Sequence, residues 1–193
     1  MTKQQIPTSF DQVTIEQYQH CYGILKQGDG TDQWIDVLTY FTGLERDYFE
    51  ELPLGKLQEQ IGCVKFLLSP NEITKVNDHI IVAGQTYRGI TDIAEGNFAQ
   101  YSSIKTVLSK CPEGDTTFVL HKLLACIYTP VKLFGKDYDM PDVAEKMKQA
   151  KVGQVLGLVF FYSKVFNALT EVIQIYLEAT NPPKKESSSQ GMS

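Results

Sequence analysis

Histidine and cysteine are scarce and scattered in this 193-residue chain, and their arrangement excludes several kinds of chemistry. None of the three histidines, His20, His79 and His121, has a second histidine, a cysteine or an aspartate at the three- or four-residue spacing that sets two ligands on one helix face. His121 and Cys126 come nearest, but one residue too far apart, about 100° of helical turn out of register. The four cysteines, Cys21, Cys63, Cys111 and Cys126, contain no CxxC pair. A zinc site and a secreted disulfide framework are therefore not indicated, and the expectation is reduced thiols in a cytosolic setting. Three of the cysteines fall at apolar positions of predicted helices, where a free thiol behaves as a small hydrophobe.

Phosphate-binding and nucleophile motifs are also missing. Gly55-Lys56 and Gly135-Lys136 lack the earlier glycine of a GxxxxGK loop, and neither GxGxxG after a strand nor GxSxG occurs. Gly28 and Gly30 precede a predicted helix, but Asp29 and Asp32 would repel an anion at that helix N-terminus, and the run lacks the calcium-loop framework. Carboxylates are plentiful from Glu45 to Glu51 and at Asp137, Asp139 and Asp142, in polar runs where nothing would keep one acid protonated. The reading is a protein that is not an enzyme, with no catalytic, cofactor-binding or metal residue assigned and no cofactor expected.

Positive charge is sparse. The net charge is -5 and the only basic cluster is Lys184-Lys185, so nucleic-acid binding is not expected. The opening MTKQQIPTS has no apolar segment of the kind a secretory signal needs. No repeat of fixed period is visible. The longest apolar stretch, residues 152–179, could span a bilayer by length, but Lys164, Asn167 and Glu171 fall near its middle. A charge at a span centre costs roughly 2.5–3.5 kcal/mol on insertion scales, so no membrane insertion is expected.

That same stretch is the strongest element present. Val155, Leu158, Val159, Tyr162, Phe166, Leu169, Val172, Ile173 and Tyr176 recur at offsets of three and four, the stripe of a long helix. Ser163, Asn167, Thr170 and Gln174 run polar beside it, whereas Leu156, Phe160 and Phe161 make its first turns apolar nearly all round. Two readings of those three residues stay open: burial on every side, or a partly exposed surface for a partner.

Other elements follow in order. Thr14 with Gln17 fits a capping box opening a helix on Ile15, Tyr18, Tyr22 and Leu25. Thr31 or Asp32 would cap the next helix, whose face is Trp34, Val37, Leu38 and Phe41 and whose stop is Gly43. A third begins after Pro53 with Leu54, Leu57, Ile61, Val64 and Leu68 facing inward. Residues 79–90, β-branched and aromatic and broken at Gly84, predict a β-hairpin. Asn97 with Gln100 would open a fourth helix, with Phe98, Tyr101, Ile104 and Leu108 inward. A fifth would carry Phe118, Leu120, Leu123, Leu124 and Ile127 and stop before Pro130, and a short one would pair Asp142 with Lys146. The expected fold is mainly α (α+β): one domain over 1–179 with a small β-hairpin between two helical halves and a long C-terminal core helix. Residues 180–193, rich in proline and serine, are expected to be disordered.

Several stretches resemble a known family. IPTSFDQVTIEQYQ and YFTGLERDYFEELPLGKL are similar to the opening IPxSWxxVTxxQ pattern and later LP helix of small proteins of tailed bacteriophages. IIVAGQTYRGITDIAEGNFAQYSSIKTVL, LHKLLACIYTPV and YDMPDVAEKMKQAKVGQVLGLVFFYSKVFNAL resemble the remainder, so the likeness covers nearly the whole chain up to the tail. Phe10 stands in place of a tryptophan, Ala83-Gly84 in place of Asn-Gly, and Gly96-Asn97 in place of a threonine. The resemblance implies a virion or tail-assembly protein, tail-assembly-chaperone-like, with no catalytic residues to transfer. Its partners would be other phage structural proteins or further copies of itself. It would act in the host cytoplasm during assembly and could be carried in the virion. A structural or packaged virion subunit is the alternative, and an enzyme of unrecognised type a lesser one.

Overall fold

The computed structural model describes residues 5–28, 30–70, 75–91, 98–111, 115–131, 138–162 and 164. Contacts divide the chain into two units, Met1–Val159 and Phe160–Ser193. The spine's polar row, its later apolar turns and the 180–193 tail lie outside the described residues, as does the Asn97 cap.

The first unit is mainly helical with a small sheet between helical stretches. Helix α1 (Ile15–Leu25) opens with the capping box: Gln17 N–H donates to Thr14 Oγ1 at 3.2 Å and Thr14 N–H to Gln17 Oε1 at 2.9 Å. Thr14 also forms an isolated antiparallel bridge with Lys151. Ile15 N–H donates to the Ala150 carbonyl at 2.9 Å and Val152 N–H to the Val13 carbonyl at 3.0 Å. The chain's first helix therefore starts beside its last described one, over 152–162, and the two N-terminal turns satisfy some of each other's orphan groups.

Helix α2 (Thr31–Thr42) buries Trp34, Val37, Leu38 and Phe41 as expected, and ends at Gly43 in the left-handed region, φ 66°. Its N-cap is Gly30 with no side-chain bond, one residue before Thr31 and two before Asp32. Asp32 instead accepts from Arg46 at the start of α3 (Arg46–Glu50), whose guanidinium also reaches Asp36 and Glu50. Helix α4 (Leu54–Val64) buries Leu57, Ile61 and Val64 but leaves Leu54 67% exposed. Lys65–Leu68 then tightens into a 3-10 turn. At three residues per turn, Leu67 follows Val64 inward, and Leu68, expected inside, faces out.

The sheet has order β1-β2-β3. Strands β1 (His79–Val82) and β2 (Gln85–Gly89) form the expected hairpin around Ala83-Gly84, with positive φ at both (48° and 75°), as a primed two-residue turn requires. Strand β3 (Tyr128–Pro130) corrects the sequence reading, which ran the preceding helix up to Pro130. Proline disfavours the α region at Thr129, and the backbone is already extended at Tyr128. Helix α6 (Leu120–Ile127) therefore stops at Ile127 and the chain enters the sheet. Helix α5 (Phe98–Leu108) buries Ile104, with Tyr101 and Leu108 half-buried.

Helix α6 is the most enclosed of the described helices: all its residues but Lys122 are buried, and it packs against α7 (Met140–Met147). Phe118, expected on its inner face, sits on a 3-10 turn before it and is 44% exposed. Within the first unit the last helix buries Val152, Val155, Leu156, Leu158 and Val159. Its Gly157 lies against the backbone of residues 75–76, where a Cβ would collide with the Lys75 carbonyl oxygen. No described helix is long and apolar enough to cross a membrane.

Candidate functional site

An open groove of about 780 Å³ runs along β1. One wall is Lys75, Asn77, His79, Ile80 and Ile81, with Thr86 from β2; the other is Ser9–Asp11 and the Gly153-Gln154 turn. The walls are held at one end by Asn77, whose Nδ2 donates to the Gln154 carbonyl at 2.8 Å and whose own carbonyl accepts from the Tyr128 hydroxyl at 2.8 Å.

The hairpin register decides what β1 offers this groove. Gly89 N–H donates to the Asp78 carbonyl at 2.6 Å, and bonding residues alternate along an antiparallel ladder. Asp78, Ile80 and Val82 therefore bond towards β2, while His79 and Ile81 turn their N–H and C=O groups outward. Strand β1 is the outer strand of the sheet, and Ile81 is 70% exposed. Among the described residues these outward backbone groups have no partner, and they lie beside an uncovered aliphatic side chain, a template for another extended segment.

Among the described residues lining the groove, no hydrogen-bonded nucleophile and base are paired. His79 Nδ1 lies 3.3 Å from Asp78 Oδ2, with both side chains more than half exposed. Among the described residues no three histidine, cysteine or acidic side chains converge as a metal site would need. His20 stacks on Tyr40 at 4.2 Å between ring centroids, and His121 is buried on α6. Burial pushes the Cys21 thiol up to about 12 and the Cys126 thiol up to about 11, so both stay protonated and unreactive at neutral pH. The acidic run from Glu45 is largely exposed, and Arg46 ties its Glu50 to Asp32 and Asp36 of α2.

Of the three candidate partner residues, Leu156 in the first unit is buried, at 4% exposure. Phe160 and Phe161 belong to the second unit and are half-buried; the Phe161 ring meets Tyr162 edge-on, 5.8 Å between centroids. The groove and the β1 edge were missed in sequence, because the walls come from three distant segments. One signal was present: in His79-Ile80-Ile81-Val82 both strand faces carry an aliphatic residue, and a sheet covered on one side leaves one of them out.

Compared with known proteins, the chain matches no family model, no curated protein and no solved structure.

Proposed function

We propose that this is a non-enzymatic bacteriophage protein that acts through protein–protein contacts in tail assembly, in the manner of a tail-assembly chaperone. The phage setting rests on the resemblance of its sequence segments. The contact mode rests on one observation: the outward backbone groups of His79 and Ile81, beside an open groove, can add an extended strand of a partner chain to the sheet. Backbone pairing of this kind is tolerant of sequence, which suits a protein that holds a tail component before it reaches its final interface.

Mass spectrometry of purified particles tests the reading. A chaperone is expected in infected cells, in complex with a tail component, and absent from particles. Many copies per particle would favour the alternative, a structural or packaged virion subunit.

A further inference from the structure

The only buried histidine among the described residues joins three helical segments. His121 on α6 is 8% exposed, and its Nδ1 lies 3.1 Å from Gln19 Nε2 on α1. The same Gln19 nitrogen donates to the Thr117 carbonyl at 2.7 Å, in the turn that leads into α6. That second bond fixes the amide: Nε2 is the donor, so His121 Nδ1 must accept, and the ring is neutral with its proton on Nε2.

We propose that His121 is an acid-sensitive latch between α1 and the α6–α7 pair, closed when the ring is neutral and opened when it gains a proton. A protonated Nδ1 would point a hydrogen at the Gln19 NH2 group. Turning the amide over would offer its oxygen to His121 but set that oxygen against the Thr117 carbonyl. Either arrangement loses one of the two bonds, and no third placement of one amide satisfies both.

On balance the surroundings of the ring favour its neutral form. Burial disfavours the imidazolium, Lys148 at the end of α7 and Lys122 on α6 add to that, and Glu145 on α7 opposes it, so the ring titrates below the ordinary histidine range. Glu145 is itself engaged with Lys148 at 2.7 Å. From α1 the group facing the ring is the neutral Gln19. Farther along α1, Tyr22 and Lys26 hold Asp115, whose carboxyl sits below its usual value and stays ionised through the same pH window. Mild acid therefore releases α1 at Gln19 while its C-terminal end stays tied.

The test is amide hydrogen exchange on the full-length chain at pH 7.5 and pH 5, corrected for intrinsic rates, with the His121 titration followed by NMR. His121 is expected to titrate below the ordinary histidine range, and α1 amides to exchange at least about tenfold faster at pH 5 while α2 amides do not. His20 also lies on α1, so the pH effect must vanish in His121→Gln, which keeps His20. Should that variant fail to fold, Gln19→Glu decides: its carboxylate accepts from the protonated ring, raising the His121 pKa and abolishing acid release. Equal α1 protection at both pH values in the parent, or unchanged acid release in Gln19→Glu, would overturn the latch.

Discussion

The Lys26 ammonium sits 2.7 Å from the Asp115 carboxylate, tying the C-terminal end of α1 to the segment that leads into α6. Lys26 is about half exposed, whereas Asp115 is largely covered and also accepts from the Tyr22 hydroxyl at 3.1 Å and the Thr117 N–H at 3.0 Å. The two partners should therefore be unequal. Lys26→Met removes a screened ion pair and the ammonium's contact with the Phe118 ring, and should cost about 0.5–1 kcal/mol. Asp115→Ala leaves a hydroxyl and an N–H without their acceptor, at about 1–3 kcal/mol. Denaturant melts of the two variants check the ordering.

The same carboxylate gives a pH dependence. Burial pushes its pKa up, but the hydrogen bonds from Lys26, Thr117 and Tyr22 outweigh that and hold it below the usual value. A folded pKa below the unfolded one means stability that is fully present above about pH 4 and lost as the pH falls through the folded value. The melting difference between the parent and Asp115→Asn should be constant from pH 7 to about 5 and shrink below pH 4. A difference that does not change with pH would show that the carboxylate contributes through shape alone.

Ala83 occupies the first position of the hairpin turn at φ 48°. A side chain with a Cβ is strained there by about 1–2 kcal/mol, and asparagine tolerates the region better than alanine. Ala83→Asn should therefore raise stability by about 0.5–1 kcal/mol, and Ala83→Gly by a similar amount. Thermal melts showing that both substitutions destabilise would mean that the turn is not of the primed type.

Two glycines in helices should respond with opposite signs. A Cβ at Gly157 would meet the Lys75 backbone carbonyl, which has no flexible end to swing away, so Gly157→Ala should cost about 1–3 kcal/mol. Gly62 on α4 is exposed with nothing within 4 Å of a built Cβ, and Gly62→Ala should gain about 0.5–1 kcal/mol from the lower entropy of the unfolded chain. Paired urea titrations settle both.

Local signals were the legible part of this chain. Thr14 with Gln17, Gly43, and the break at Gly84 each act over a few residues, and each ends up where its chemistry placed it. Tyr128–Pro130 was not legible because it continues the apolar run of α6 without any change of period; only the tertiary pairing with β2 distinguishes strand from helix there. Leu67 and Leu68 exchanged places for a smaller reason, a change from 3.6 to three residues per turn. The groove was invisible because Ser9–Asp11, Lys75–Ile81 and Gly153-Gln154 share no sequence pattern and meet only in the fold. Val155, Leu158 and Val159 of the expected stripe are buried, while Phe166, Leu169 and the later turns lie outside the described residues.

Complementation of a phage deleted for this gene tests the central claim most directly, with particles counted by electron microscopy. Ile81→Pro is the informative variant. Its lost N–H faces outward, so the β1–β2 bonds remain while the edge can no longer pair. The expected result is tailless heads from the deletion, normal tails restored by the parent gene, and continued tail loss with a folded Ile81→Pro protein. Normal tails and full infectivity from the deletion itself would contradict a role in tail assembly. Normal tails restored by Ile81→Pro would remove the β1 edge from it.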